Sequence, residues 1–292
     1  MDDFEKDVEQ AGLNKRAWVM QERVLAKRTI HFSANQTYWE CGEGVYCEDL
    51  TIMKSTPRKN YFSLDPSFPD RLLIAGSVRT VEFIHFLFEN YSKRGLTKDT
   101  DRCVAASGLE ARIAGALHCK SSYGIFEKFL HRTLLWQASD KDTMHIAYDN
   151  NQKVPSWSWM ACSGGVRFME IEMGSVSWLK ALAFGAERNY AALIADVGEF
   201  RHVTPRPDAN RYTLADLSGN GKGWIQYDVE GDESGRRDYC VVIGRTRGII
   251  RKRHYYILVV VPTREDGEYT RVGVGIVRTS CVKRLRAGVR IV

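Results

Sequence analysis

His254-Tyr255-Tyr256-Ile257-Leu258-Val259-Val260-Val261 is the stretch whose reading decides the fold of this chain. A run so rich in β-branched and aromatic residues, closed by Pro262, reads as a strand. The longest apolar run, residues 255–262, is far short of the roughly 18–20 residues that a membrane helix needs. Working outward, residues 239–246 and 269–278 have the same character, and Glu265-Asp266-Gly267 supplies a turn between neighbours. Further strands are predicted at 156–162, 166–171, 176–182, 190–197 and 223–229, with turns at Ser163-Gly164-Gly165 and Gly219-Asn220-Gly221. Strands at this spacing predict an antiparallel sheet, a sandwich or an open barrel.

Before about residue 135 the apolar period changes to that of helices. Over 13–27, Leu13, Ala17, Met20 and Val24 fall on one stripe, flanked by Trp18, Gln21, Glu22 and Leu25. Thr29-Ile30-His31-Phe32 and Thr37-Tyr38-Trp39-Glu40 flank the polar quartet Ser33-Ala34-Asn35-Gln36, which predicts a hairpin. A helix over 78–91 places Val81, Ile84, Leu87, Phe88 and Tyr91 on one face. Another over 101–117 has Asp99 or Asp101 to cap it and Val104, Leu109, Ile113 and Leu117 to bury. Gly108 in its middle costs about 1 kcal/mol relative to Ala, so a close neighbour is expected there. A short helix over 125–132 leads into a strand at 134–136. The segment 47–70, with Pro57, Pro66 and Pro69, reads as a surface loop. The predicted class is α+β: an N-terminal helical region with a short β-hairpin, then a mainly antiparallel β domain. The change falls near 148–154, where Asp149-Asn150-Asn151-Gln152 precedes Pro155.

With 292 residues, 44% hydrophobic and 27% charged, the chain has enough apolar material for one large core or two modest ones. A net charge of +6 is too small to argue for nucleic acid. The start, Met1-Asp2-Asp3-Phe4-Glu5, lacks the apolar stretch of a signal peptide. The odd count of seven scattered cysteines then predicts reduced thiols and a cytoplasmic protein.

Three blocks carry a resemblance. The first is Leu13-Asn14-Lys15-Arg16-Ala17-Trp18-Val19-Met20-Gln21-Glu22-Arg23-Val24-Leu25, the second Tyr38-Trp39-Glu40-Cys41, and the third Val154-Pro155-Ser156-Trp157-Ser158-Trp159. Through Arg16, Trp18, Gln21, Glu22, Trp39, Cys41, Pro155, Trp157 and Trp159 they resemble the signature blocks of the fungal heterokaryon-incompatibility family. The resemblance runs from residue 13 to about 168 and continues loosely through Gly223-Trp224-Ile225. It implies an N-terminal α/β lobe similar to a Toll/interleukin-receptor domain, with a tyrosine–cysteine–tryptophan–glycine strand and a cysteine–isoleucine–asparagine–glutamine block. This sequence holds neither motif. The expectation is a truncated member: residues 1–32 a remnant of that lobe, 33–153 a helical region, 154–292 an antiparallel β-sheet domain. The implied function is a non-catalytic regulatory or scaffold part of a non-self-recognition and cell-death protein. The implied partner is a protein such as a full-length relative, with no cofactor and no specific nucleic acid.

Two other chemistries are open. Trp18 and Glu22, four apart, resemble the pair of Toll/interleukin-receptor domains that cleave NAD. A carboxylate suits that reaction because it stabilises an oxocarbenium-like transition state or orients the ribose. Glu22 is therefore the candidate catalytic residue and NAD the ligand of that reading. The plainer reading pairs Glu22 with Lys15, Lys27 or Arg23 on a helix surface. From Asp238 onward, twelve Lys/Arg stand against four Asp/Glu. Arg245, Arg247, Arg251, Lys252 and Arg253 surround a turn, and Lys283, Arg284 and Arg286 follow, which makes a basic-patch module for anionic partners the second alternative. Cys41, Cys47 and His31 lack the spacing and the fourth ligand of a zinc site. Ala161-Cys162-Ser163-Gly164-Gly165 lacks the first glycine of a nucleophile elbow, and Gly219-Asn220-Gly221-Lys222-Gly223 lacks phosphate-loop spacing. Trp157 and Trp159, two apart on a presumed strand, are expected to share a buried face.

Overall fold

A computed structural model describes residues 4–41, 44–53, 74, 76–149, 153–186, 192–201, 203–208, 211–231 and 237–292. Contacts divide the chain into two units, Met1–Cys119 and Lys120–Val292, so the expected change of pattern near 148–154 lies inside the second. Most of the 47–70 loop and all of Asn150-Asn151-Gln152 fall outside the described residues.

In the first unit, helix α1 spans Ala17–Leu25. The helix expected from residue 13 starts later because Arg16 is extended. The Ala17 N–H donates to the Gly95 carbonyl at 3.0 Å, and the Gly95 N–H donates to the Lys15 carbonyl at 2.8 Å. Two backbone bonds to a distant loop outcompete one more helical turn, and Leu13 is left exposed rather than on the buried stripe. Strands β1 (Arg28–Phe32) and β2 (Thr37–Cys41) form the expected antiparallel hairpin, with β3 (Gly44–Tyr46) beside β2. The Ser33 hydroxyl accepts from the Asn35 and Gln36 N–H groups and so closes the turn.

Helix α2 (Gly76–Ser92) buries Val81, Ile84, Leu87, Phe88 and Tyr91, the face its period predicts. Helix α3 (Arg102–Leu117) buries Leu109, Ile113 and Leu117, but Val104 is exposed. Neither aspartate caps it. A single-turn helix at Asp99–Asp101 leads into it, and Asp101 already has helical dihedrals, so its carboxylate cannot fold back as a cap does. Gly108 does meet a close neighbour. A Cβ there would stand 3.0 Å from both Gln21 Oε1 and Leu25 Cδ1, and its N–H donates to that Gln21 oxygen.

The second unit opens with β4 (Ser121–Ser122), β5 (Ile125–Phe126), helix α4 (Leu130–Thr133) and β6 (Trp136–Ala138), the last paired with β7 (Val166–Phe168). There follow β8 (Val176–Trp178), β9 (Ala183–Phe184), β10 (Leu193–Phe200), β11 (Thr204–Asp208), β12 (Arg211–Ala215) and β13 (Gly221–Tyr227). The chain then runs through β14 (Tyr239–Thr246), β15 (His254–Pro262), β16 (Glu268–Arg278) and β17 (Val282–Ile291). One sheet takes ten of these strands, in the order β11-β12-β13-β16-β15-β14-β10-β17, with β8 on β14 and β9 on β10. Its pairs are antiparallel except for a short parallel contact, Glu268 and Tyr269 against Arg290 and Ile291. That contact closes β16, β15, β14, β10 and β17 into a ring. Ile257 to Val261 are all buried, so both faces of β15 are covered and its apolar residues do not alternate with polar ones.

The strand expected over 156–162 is not one. The Ser158 N–H donates to the Pro155 carbonyl, and the Ser158 hydroxyl accepts from the Met160 N–H, capping a single-turn helix at Trp159–Ala161. A serine that bonds its own neighbourhood competes with ladder bonds, and here it prevails. Trp157 and Trp159 are both fully buried, though not as same-face strand neighbours.

Arg271 holds this unit together. A register shift between Val259 and Val260 puts Val272 in a bulge and turns Arg271 inward. Its Nε and one terminal nitrogen donate to the two Asp228 oxygens at 2.8 and 3.0 Å. The fork also reaches the carbonyls of Leu134 and Trp136, at 2.6 and 2.8 Å. The guanidinium carbon lies 3.6 Å from the Trp136 ring centre. Replacing Arg271 with Met removes both of its bonds to the buried Asp228 carboxylate and is expected to lower stability by about 3–5 kcal/mol, read from urea denaturation followed by tryptophan fluorescence. Trp157→Ala, which empties a fully buried site, is expected to cost about 3–5 kcal/mol in the same assay. A loss below roughly 1 kcal/mol in either variant contradicts this account of the core.

Candidate functional site

Glu22 lies on α1 and is exposed, with no hydrogen bond or ion pair to its carboxylate among the described residues. The expected pairings with Lys15, Lys27 or Arg23 are not formed. Arg23, the next residue, turns inward instead and is buried. Trp18 is half-buried on the same helix, Arg16 is exposed, and Gln21 is committed to Gly108. The four first-block residues thus point in different directions and do not line a common cleft.

Strand alternation explains the second block. Tyr38 and Glu40 face inward and are buried, whereas Trp39 and Cys41 face outward. The buried Glu40 finds its counter-ion in Arg23: Nε donates to one carboxylate oxygen at 2.7 Å and a terminal nitrogen to the other at 2.9 Å. His31 Nε2 donates to the first of these oxygens at 2.9 Å. Arg23 also reaches Glu9 at 2.6 Å, and the Phe4 ring packs over its guanidinium. The Tyr38 hydroxyl donates to Asp7 at 2.8 Å, and its ring packs with Val8 and Cys47. Both Glu40 oxygens are occupied, so this carboxylate is a fastening rather than a catalytic base.

Burial alone would raise the Glu40 carboxyl. The hydrogen bonds from His31 and Arg23, with their charges, outweigh it and hold the group below the ordinary glutamate value. Burial would likewise lower Arg23, but the bonds and charges of Glu40 and Glu9 raise it above the usual arginine value. Sequence reasoning missed this cluster. The signal was present, since alternation from the inward Tyr38 puts an acid on the buried face, and a buried acid requires a cation.

The third block is fastened in the second unit. The Ser156 hydroxyl accepts from the Arg271 N–H at 2.8 Å and donates to the Val292 carbonyl. Trp136 Nε1 donates to the Trp157 carbonyl at 2.9 Å, and the Ser158 hydroxyl donates to the Tyr123 carbonyl at 2.7 Å. Pro155 is buried at the start of this turn.

All seven cysteines are thiols. Burial pushes Cys240 up to about 12, which makes it a poor nucleophile. Cys47 packs in an apolar cluster while His31 is bound to Glu40, so the Cys41, Cys47 and His31 set does not converge. Among the described residues no group of three or more His, Cys, Asp or Glu is placed to hold a metal ion. In the basic region, Arg284 pairs with Asp196, Arg286 with Asp266 and Arg290 with Glu268. The Arg251 side chain lies outside the described residues. Lys222 pairs with Asp216 across the Gly219 turn, which is a hairpin bend and not a phosphate loop. Comparison with protein-family models, with curated proteins and with solved structures finds no match.

A glutamate whose folded-state pKa is depressed contributes stability that is present above its unfolded value, about 4.5, and lost as the pH falls through the folded value. Glu40→Gln is therefore expected to destabilise the protein at neutral pH. The gap between the variant and the parent should shrink on acidification below about pH 4.5, which urea melts across that range measure. A gap independent of pH contradicts the assignment.

Proposed function

We propose that this chain is a non-catalytic regulatory or scaffold part of a fungal non-self-recognition protein of the heterokaryon-incompatibility type, acting in the cytoplasm through contact with another protein of that family. What carries the reading is how the family-like residues are used. Gln21 ties α1 to α3, the inward Arg23 of the first block holds the inward Glu40 of the second, and the third block anchors the turn beneath Arg271. Residues spent on packing suit a scaffold better than a reaction centre. No helix among the described residues is long and apolar enough to cross a membrane.

A protein partner is supported by the outer face of the hairpin. Ile30 and Trp39 are directly paired across β1 and β2, and with Phe32 they stand 49%, 39% and 84% exposed. Neighbouring apolar side chains left in water favour association. Pull-down with a full-length family relative is expected to capture this chain, and Phe32→Asp is expected to weaken capture at least about tenfold. Failure of the unaltered chain to associate refutes the reading.

The NAD-cleaving alternative rests on Glu22 alone. Positioning supplies about 7–11 kcal/mol of barrier lowering in well-oriented reactions, and an isolated surface acid supplies none of it. Incubation with NAD is expected to release no nicotinamide above background. Release that disappears in Glu22→Ala would establish the enzyme instead.

A further inference from the structure

We propose that the loop between β14 and β15 docks on the surface of an anionic lipid bilayer, with Ile249 and Ile250 entering the headgroup layer. The proposal goes beyond the scaffold reading and does not depend on it. Ile249 and Ile250 are adjacent in the chain and stand 70% and 73% exposed. Arg247, Arg251, Lys252 and Arg253 flank them, and no acid occurs anywhere from residue 239 to 262. Arg245, Arg247 and Lys252 are exposed and have no hydrogen bond or ion pair among the described residues. On β17, by contrast, Arg284 is matched by Asp196 and Arg286 by Asp266. The cations around the two isoleucines thus keep their charge available to an outside partner.

Local bonds hold the isoleucines in water instead of letting them fold back on the sheet. The His254 N–H donates to the Thr246 hydroxyl at 2.9 Å and clamps the base of the loop. Arg253 Nε donates to the Gly248 carbonyl at 2.9 Å, across the loop. Gly248 has a φ of +115°, a bend that side chains rarely allow. The Lys252 N–H donates to the Ile249 carbonyl at 2.9 Å and closes a single-turn helix over Ile250–Lys252. The Arg247 N–H donates to the Ser175 carbonyl at 2.8 Å, which brings the turn at 172–175 alongside. Met173 on that turn is 42% exposed and adds a third apolar side chain. Glu172 is the one acid on the two turns.

Apolar side chains among unmatched cations fit the two layers of an anionic membrane. Lipid headgroups attract the cations, and the isoleucines leave water for the acyl boundary. RNA is a poorer occupant, because residues 247–253 hold no aromatic ring to stack on a base. An acidic protein is poorer too. A stable protein interface takes roughly 800 Å² from each partner, and two isoleucines on one hairpin end fall far short of it.

The experiment is co-sedimentation of the full chain with phosphatidylcholine vesicles, with and without about 30% phosphatidylserine, at near-physiological salt. Binding that requires phosphatidylserine and weakens as salt is raised is expected. Ile249→Ser with Ile250→Ser keeps every charge and is expected to weaken binding at least about tenfold. Arg247→Glu with Lys252→Glu is expected to weaken it at least about tenfold as well. Lys15→Glu with Lys93→Glu makes the same charge change at exposed positions of the other unit and is expected to shift binding less than about twofold. All six positions are exposed, so thermal melts of the variants are expected to match the parent. Four results overturn the proposal: no binding to the phosphatidylserine vesicles, equal binding to phosphatidylcholine alone, binding unchanged by the two serines, or equal losses in the two charge variants. Capture by polyuridylate RNA but not by the vesicles assigns the loop to nucleic acid and overturns it too.

Discussion

The Arg271 fork is the constraint on which the second unit depends. Its guanidinium is buried, and a buried charge is tolerated only with a full set of acceptors. Asp228 neutralises it, the Leu134 and Trp136 carbonyls take further protons, and the Trp136 ring covers one face. Each partner comes from a different stretch of chain, so satisfying one side chain specifies where the others lie. The carbonyls belong to the end of α4 and to β6, and Asp228 follows β13. The backbone of the same residue meets Ser156, which brings in the tryptophan turn. A strand bulge makes this possible, because regular alternation would have sent one of Arg271 and Val272 outward.

The first unit repeats the device at smaller scale. Arg23 and Glu40 neutralise each other inside, with His31 and Glu9 completing the set. Phe4 and Val8 cover the cluster, so the residues ahead of α1 are part of the fold. The two networks share a logic: a charged pair in each unit orders elements that apolar packing alone would leave interchangeable.

This arrangement shapes the functional reading. Residues that resemble a family signature are conspicuous as tryptophans, acids and prolines, and such residues invite a catalytic interpretation. Here Gln21, Trp157, Trp159 and Pro155 are absorbed in packing, and Glu22 stands alone in solvent. Unused binding capacity lies elsewhere, as in the apolar hairpin face of Ile30, Phe32 and Trp39.

The sequence by itself determined the secondary structure wherever one face of an element is buried and the other is not. The hairpin, α2, α3 and strands β14 to β16 could be read from period and turn residues, and Gly108 announced a close contact from its cost alone. The basic composition of β17 concealed a strand, since its exposed Lys and Arg obscure the alternation. The 156–162 segment looked like a strand because local composition says nothing about whether Ser158 will bond its own turn. Only the tertiary structure decided that Arg16 would pair with Gly95 and so shorten α1, that β17 would close the ring, and which cations would be neutralised. Those outcomes depend on groups far apart in the chain meeting in space. A charge reveals in sequence that it needs a partner, but the partner is chosen by the fold.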